Sequence, residues 1–146
     1  MEIDRPFQQV TERLQIRTKG RGFYQITSKA IAFVNKTKID TGLLTLFCRH
    51  TSASLLITEN ADQNVLKDLE AAFARLAPEN TNYLHSTEGA DDMPAHIRAV
   101  LTQTQISIPV IQSKPTLAAW QGIFLYEHRR SPHGREIALH LIGQSF

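Results

Sequence analysis

The sequence predicts an α+β domain, mainly antiparallel β-sheet in a sandwich-like arrangement, with two principal helices in the middle of the chain. Segments typical of strands come first and return at the end, with the helical patterns between them. That order does not fit regular βαβ alternation. A chain of 146 residues is also too short for a (β/α)8 barrel, which needs at least about 200 residues. We therefore expect a single domain over residues 1–146.

The first half of the chain is predicted to hold three strands and a short helix. Residues 7–18 place apolar and β-branched residues among polar neighbours, which is typical of an antiparallel strand. A short helix is expected over 27–35, with Ile31 and Val34 on its inward face. The apolar runs at 43–48 and 55–57 are short enough to be neighbouring buried strands.

The second half of the chain holds the principal helices. The clearer helix is predicted to begin at a capping-box pattern of Asn60 and Gln63, and apolar residues follow at helical spacing. Residues 77–92 are polar and contain Pro and Gly, so they predict a long irregular loop, a kind of segment that is often functional. Pro94 suits the first turn of the next helix, whose inward face is predicted to include Val100. Three further strands are expected, at 104–112, 122–128 and 135–142.

Composition predicts a soluble, cytoplasmic protein. The formal net charge of +2 is too small to indicate a nucleic-acid-binding protein, although it permits an anionic small ligand. Cys48 is the only cysteine, so no internal disulfide can form, and a reducing compartment fits. Residues 1–6 are charged and have no apolar run, so we expect no signal peptide, and no stretch is long and apolar enough to cross a bilayer.

Two polar segments are candidates for binding chemistry. The segment 49–54 offers hydroxyls, backbone N–H groups and one cation between two apolar strands, which are groups that hold a phosphate or carboxylate. A turn capped by its own hydroxyls explains the same pattern. Asp92 and His96 are four residues apart and share a helix face, so Asp92 can orient the imidazole or bind Mg²⁺. Helix capping by Asp91 or Asp92 is the alternative.

Histidine is modestly enriched, and three of the six histidines lie on separate elements beside polar or acidic residues. His50, His85 and His96 together have the composition of a three-histidine zinc site with an open position. Their spacing matches no compact zinc motif, and histidines satisfied by ordinary hydrogen bonds remain the alternative. Glu127 lies near the end of a predicted strand, where it can act as a base, a ligand or an arginine partner. The basic tract 128–135 that follows it is interpreted either as a hairpin loop that attracts a phosphate or as a solvated loop.

Three blocks of sequence resemble the signature blocks of a known family. The first contains Gly42-Leu43-Leu44, His50-Thr51-Ser52-Ala53-Ser54 and Glu59-Asn60-Ala61-Asp62; the second runs from Asn82 to His85 and from Glu88 to Ile97; the third contains Thr116 to Trp120, Gln121-Gly122-Ile123 and Glu127-His128-Arg129. In order and spacing they are similar to the YjbQ-like family, also called the secondary thiamine-phosphate synthase family. The resemblance covers nearly the whole chain. It departs from the family at residues 117–119, where the family usually has Gly-Thr before the tryptophan.

The resemblance implies a compact α+β fold assembled as a homotrimer, with sites near subunit boundaries, and it assigns site residues. The catalytic residues are His50, Asp92, Glu127 and Arg129. The substrate-binding residues are Thr51, Ser52, Asn60 and Gln121. The metal ligands are His50, His85 and His96, holding zinc, with magnesium on the substrate phosphates as the alternative cofactor.

The implied reaction joins a hydroxymethylpyrimidine diphosphate to a thiazole phosphate and releases diphosphate. A metal-dependent hydrolase of a small phosphorylated metabolite uses the same residue types. A non-catalytic trimer that binds a small anion is the third hypothesis. The expected partners are thus a small phosphorylated metabolite and further copies of the chain, without a membrane or a nucleic acid.

Overall fold

A computed structural model describes residues 5–146, which form eight strands and three helices. The strands are β1 Phe7–Arg17, β2 Gly22–Gln25, β3 Ile39–Cys48, β4 Ala53–Glu59, β5 Gln105–Ile111, β6 Lys114–Pro115, β7 Gln121–Glu127 and β8 Gly134–Ser145. The helices are α1 Thr27–Lys36, α2 Gln63–Leu76 and α3 Asp92–Leu101. The expectation of no signal peptide falls mostly on residues 1–4, outside the described residues. None of the described helices is both long and apolar enough to cross a membrane.

The strands form two antiparallel sheets, which confirms the predicted fold class. The larger sheet has the order β1-β8-β3-β5-β6, and the smaller has the order β2-β7-β4. Along β5 and β8, buried and accessible residues alternate because successive side chains point to opposite faces of a strand. Inward side chains of both sheets, such as Leu44, Ile137, Leu55 and Leu125, join one hydrophobic core. The predicted sandwich-like arrangement follows from this shared core.

Helix α1 packs on the core through a face that contains Val34 but not Ile31, one of the two residues predicted to face inward. Ala30, Phe33 and Val34 are buried, at the i, i+3, i+4 spacing of a single helix face. Ile31 lies off that face and is 38% exposed, so its predicted inward position is wrong.

Helix α2 is attached to the domain by polar contacts rather than by buried apolar side chains. Its N-cap is Asp62, which accepts a hydrogen bond from the Asn64 N–H, so the predicted capping box at Asn60 is wrong. Although the helix is amphipathic, none of its side chains is buried. One carboxylate oxygen of Glu70 accepts a hydrogen bond from Arg98 Nη1 at 2.7 Å, and the other accepts one from the Tyr126 hydroxyl. We call these three residues the Glu70 clasp.

Helix α3 buries two charged residues among small apolar ones. Asp92 and Arg98 are buried on it together with Pro94, Ala95 and Ala99. Val100 is 82% exposed, so its predicted inward position is wrong. Small residues allow the helix to approach the sheet closely, and the charged residues on that face find partners there. The first turn of α3 therefore presents Asp92 to the surrounding loops.

Candidate functional site

Four strand ends and the start of α3 meet at one end of the sandwich. β4 begins where β7 ends, since Ala53 pairs with Glu127, and β3 ends beside the beginning of β8, where Cys48 pairs with Ile137. The polar segments 49–52 and 128–133 therefore leave the sheets at the same edge. Loop 77–91 and the first turn of α3 cover that edge, which brings separate predicted motifs together.

Two imidazoles converge on one carboxylate at this edge. His85 Nε2 lies 2.6 Å from Oδ2 of Asp92, and His96 Nε2 lies 3.0 Å from the same oxygen. The candidate ligand atoms of the three residues all lie within 4.8 Å of one another. Asp92 itself is buried, whereas both histidine side chains are partly exposed. We call His85, Asp92 and His96 the His–Asp cluster.

Arg129 fixes the orientation of the cluster's carboxylate. Its Nη1 donates to Oδ1 of Asp92 at 2.6 Å, its Nε donates to Asp91 at 3.1 Å, and its Nη2 donates to the Glu88 carbonyl. Burial alone would raise the pKa of Asp92, but hydrogen bonding from His85 and the charges of His96 and Arg129 outweigh it, so the pKa lies below its usual range. Asp92 is therefore an anion at neutral pH, and only Oδ2 remains free of Arg129.

One nitrogen of His96 carries a defined proton. His96 Nδ1 lies 2.9 Å from the Thr51 carbonyl oxygen, which can only accept a hydrogen bond. Nδ1 is therefore protonated, and Nε2 carries a lone pair when the ring is neutral. That lone pair points at Oδ2 of Asp92, which is also an acceptor. The arrangement needs a proton or a metal cation between the two atoms.

A cavity of about 800 Å³ adjoins the cluster and reaches His96. It is lined by Phe47, Cys48, Arg49, His50, Thr51, Ser52, His96, Ala99, Val100, Thr104 and Arg135. We call it the main cavity. Its volume is in the range of small-molecule sites, roughly 300–1,000 Å³. The predicted residues His50, Thr51 and Ser52 thus lie together in one concave surface beside the cluster.

His50 lies in the main cavity but, among the described residues, is not part of the metal-compatible group. Its Nε2 accepts a hydrogen bond of 2.8 Å from the backbone N–H of Glu136. Burial, with the nearby charge of Arg135, lowers the pKa of His50, so the imidazole is neutral at pH 7. The structure therefore assembles two of the three predicted histidine ligands with Asp92 and gives His50 different partners.

Glu127 is buried and fully hydrogen-bonded. It accepts hydrogen bonds from the Thr18 hydroxyl at 2.7 Å, from Arg135 Nε at 2.8 Å and from Arg135 Nη2. The backbone N–H groups of residues 128 and 129 also donate to it. Burial alone would raise the pKa of Glu127, but these donors outweigh it and the pKa lies below its usual range. Of the three roles considered for Glu127, this arrangement favours that of an arginine partner.

The predicted substrate-binding residues lie at two ends of the molecule. Thr51 and Ser52 line the main cavity, whereas Asn60 follows the far end of β4 and Gln121 pairs with Glu59 there. Six residue steps along β4 correspond to about 20 Å. At that far end the carboxamide oxygen of Gln121 accepts from the Ala118 N–H at 2.8 Å. Within one chain, Asn60 and Gln121 therefore lie far from the His–Asp cluster.

Sequence reasoning missed a second histidine site, in the interior. His128 Nε2 lies 2.7 Å from the Ser54 hydroxyl, and both residues are fully buried. Burial, reinforced by the charge of Arg98, lowers the pKa of His128 to about 3. His128 is the last residue of the predicted strand 122–128, and it follows an unbroken apolar run at 123–126. Such a run is typical of a strand buried on both faces, as β7 is, and it is the signal by which the buried position of His128 could have been found.

Sequence comparisons connect this chain with one family. The family described as "UPF0047 protein YjbQ-like" matches residues 12–144. The UPF0047 protein sll1880 of Synechocystis is 51% identical over 139 residues, which cover 94% of this chain and 95% of that protein. The UPF0047 protein YjbQ of Escherichia coli O157:H7 is 40% identical over 132 residues, covering 90% and 96% of the two chains.

Solved structures share the same fold. A YbjQ-like protein of unknown function from Sulfolobus solfataricus superposes with a TM-score of 0.87 at 19% identity, covering 94% of this chain and 99% of its own. The conserved hypothetical protein TT1486 from Thermus thermophilus gives a TM-score of 0.76 at 33% identity, covering 87% and 97%. The α+β architecture with two antiparallel sheets is therefore common to these proteins.

Proposed function

The chain belongs to the UPF0047 YjbQ-like family, and we propose that it is a metal-dependent enzyme that acts on a small phosphorylated metabolite at the His–Asp cluster. The observation that carries the proposal is the convergence of His85 Nε2 and His96 Nε2 on one carboxylate oxygen of Asp92. With Nδ1 donating to Thr51, Nε2 of the neutral His96 ring faces that oxygen at 3.0 Å, and a divalent cation can be bound by both atoms at once. A histidine that donates its second nitrogen to a backbone carbonyl is typical of metal ligands.

The donor set fits zinc better than magnesium. Two imidazole nitrogens and one carboxylate oxygen match a catalytic zinc site with an open position, whereas Mg²⁺ prefers oxygen ligands and water. Tetrahedral bonds of about 2.0–2.1 Å place ligand atoms about 3.3 Å apart. The two N–O distances, 2.6 and 3.0 Å, need to widen by less than about 1 Å, which side-chain rotation can supply. Arg129 would keep Asp92 oriented during that change.

A divalent cation at the cluster would supply Lewis acidity toward a phosphoryl oxygen or a leaving diphosphate. The protein's own contribution is to hold and orient the substrate. The main cavity places hydroxyl and cationic groups beside His96, and the buried Asp92 keeps its charge because Arg129 and His85 hydrogen-bond to it. Hydrolysis needs only a water molecule as the second reactant, so it is the simplest reaction for this geometry.

Transfer between two substrates is the second candidate function. The resemblance implies thiamine-phosphate synthesis from a pyrimidine diphosphate and a thiazole phosphate. The cavity of about 800 Å³ favours this candidate, because it has room for two small ring compounds. A non-catalytic anion-binding protein is the remaining alternative.

Metal content tests the proposal directly. Protein purified without a histidine tag and reconstituted with Zn²⁺ should hold one ion per chain, measured by mass spectrometry after dialysis. His85→Ala, His96→Ala and Asp92→Asn should lose it, with affinity falling more than about 100-fold because each removes a ligand. His140→Ala and Asp68→Asn, on exposed surfaces, are the matched controls. A wild-type protein that retains no metal after reconstitution contradicts the proposal.

Activity separates the candidate reactions. The zinc-loaded and EDTA-treated proteins are compared on p-nitrophenyl phosphate and on the pyrimidine diphosphate and thiazole phosphate pair. Metal-dependent release of phosphate alone favours the hydrolase, and formation of thiamine phosphate favours the transferase. A protein that binds metal but catalyses neither reaction would favour the non-catalytic anion-binding hypothesis.

We also propose the homotrimer that the resemblance implies. Asn60 and Gln121 lie at the end of β4 opposite to the cluster, about 20 Å away along the strand, so they can contribute to the site only across a subunit boundary. Light scattering coupled to size-exclusion chromatography measures the oligomer mass. A monomer would remove these two residues from the site.

A further inference from the structure

We infer that the main cavity contains a metal-independent subsite for a phosphate-class anion, in which Arg135 supplies the cation and His50 a neutral hydrogen-bond donor. The inference rests on the proposed function in taking the main cavity as the substrate site. It adds the substrate's recognition group and assigns His50 to that group instead of to the metal. It also brings in Arg135, which the sequence patterns did not single out.

The cavity wall is rich in donors and has no acidic residue. Its polar lining residues are Arg49, His50, Thr51, Ser52, His96, Thr104 and Arg135, with no Asp or Glu among them. An anion therefore meets hydrogen-bond donors and two guanidinium groups without a facing carboxylate. A cationic ligand finds no carboxylate in the same wall. The lining thus selects the sign of the ligand's charge.

Arg135 has one unused nitrogen in this wall. Its side chain is only 5% exposed, and Nε and Nη2 donate to Glu127 and Ser52. Within the described residues Nη1 has no hydrogen-bond partner, and protein atoms do not enclose it completely. Because Arg135 lines the main cavity, this unpaired guanidinium nitrogen is a donor available to a ligand there. Glu127 and Ser52 fix the direction in which it points.

His50 supplies a second donor whose tautomer is defined by the backbone. Because the Glu136 N–H donates to Nε2 at 2.8 Å, the proton of the neutral ring is on Nδ1. Nδ1 has no partner within the described residues, and the same is true of the Thr51 hydroxyl. A neutral Nδ1–H donates a hydrogen bond but binds no cation. The role of His50 is therefore to hold an anion, while His85 and His96 remain with Asp92.

The charge balance predicts the strength of binding. Glu127 already neutralises Arg135, and Glu136 pairs with Arg49, so the cavity wall carries little net charge. Directed hydrogen bonds, each worth more when the partner is charged, must supply the affinity. We therefore expect dissociation constants on the order of 1 mM for inorganic phosphate and a weak dependence on salt. A patch of unpaired surface arginines would instead lose affinity steeply with salt.

Calorimetric titration of EDTA-treated protein with inorganic phosphate, diphosphate and acetate tests the inference. Phosphate and diphosphate should bind and acetate should bind more weakly. Thr51→Val should weaken phosphate binding roughly tenfold, through one lost bond to a charged group, whereas the matched control Thr45→Val on the outer face of β3 should not. His85→Ala should retain phosphate binding while losing metal. Tighter binding of diphosphate than of phosphate would identify a diphosphate ester as the substrate class, and the reverse a monoester.

Nitrogen-15 spectra of the histidine rings provide a readout that needs no substitution. His50 should show the Nδ1–H tautomer at pH 7, and its Nδ1 resonance should move on addition of phosphate while that of His140 stays in place. An Nε2–H tautomer at His50, an unmoved resonance, or phosphate binding that disappears with His85→Ala would overturn the inference. Phosphate binding by a protein that never retains metal would refute the proposed function and leave the subsite standing.

Discussion

The two histidine sites of this protein use the same side chain in opposite surroundings. At the His–Asp cluster, His85 and His96 are partly exposed and converge on one carboxylate oxygen of Asp92. In the interior, His128 is fully buried against Ser54 and beside the ring of Tyr126. Solvent access and the grouping of three possible ligand atoms make the first site a candidate for binding. Burial and neutral charge make the second a part of the folded core.

The difference shows that a polar residue at this end of the sandwich is not by itself a functional residue. Glu127 and Arg129 are two residues apart in sequence, yet Glu127 is saturated by Thr18 and Arg135 in the interior, while Arg129 bonds to Asp92 in the partly exposed His–Asp cluster. The interior contacts should therefore govern folding stability, and the surface contacts should govern metal affinity. Three substitutions test this division.

Glu127→Gln should have the largest effect on stability. It removes one charge of a buried ion pair and leaves Arg135 uncompensated, which typically costs about 3–5 kcal/mol. Urea denaturation of the metal-free protein measures the loss. Glu12→Gln breaks an exposed pair with Lys36 and should cost less than about 1 kcal/mol. A Glu127→Gln variant that keeps full stability but loses activity would show instead that the carboxylate is catalytic.

His128 should make stability decline in acid. The folded protein binds a proton there only near pH 3, whereas the unfolded chain binds it near the ordinary histidine value of 6.5. The unfolded state therefore takes up more protons below pH 6.5, and the stabilisation present above that pH is lost as pH falls toward 3. From pH 7 to pH 5 this residue should account for about 2 kcal/mol of lost unfolding free energy.

The measurement is urea denaturation at both pH values for wild type, His128→Asn and His140→Gln. The decline should shrink by about 2 kcal/mol in the first variant and remain in the second, since His140 lies on the accessible face of β8. An unchanged decline in His128→Asn would place the acid sensitivity at other residues.

Arg129→Lys should have the smallest effect, and on metal affinity rather than on stability. A lysine keeps the charge but cannot bond Asp91 and Asp92 together, so Asp92 loses its fixed orientation. Loss of such an orienting contact typically costs about tenfold or more in metal affinity. Competition with a chromogenic chelator measures the zinc dissociation constant, with Arg17→Lys on β1 as the control. Equal affinities in the two variants would mean that Arg129 does not position the ligand.

Local patterns in the sequence predicted most of the fold but only part of the site. The predicted strands match because alternation and apolar runs report burial, and the i, i+4 spacing of Asp92 and His96 placed them on one helix face. The approach of His85 to Asp92 depends on the path of loop 77–91. That loop has no hydrophobic periodicity from which its path could be predicted. His50 lies beside the cluster but does not join the predicted metal ligands, because its Nε2 accepts a hydrogen bond from a backbone N–H of β8. Arg135 was missed because its role depends on the pairing of β8 with β3.

The Glu70 clasp implies that stability is unevenly distributed along the chain. Because no side chain of α2 is fully buried, its apolar contacts, such as that of Phe73 with Tyr126, oppose its detachment less than core contacts would, and it can open as a separate cooperative unit while the sheets stay folded. Opening would remove the partner of Arg98, whose side chain is only 1% exposed and which lies on the same helix as Asp92 and His96. The local unfolding equilibrium of α2 is thereby linked electrostatically to the helix that carries the candidate ligands. A ligand that orders α3 would raise the protection of α2 amides against hydrogen exchange without touching them.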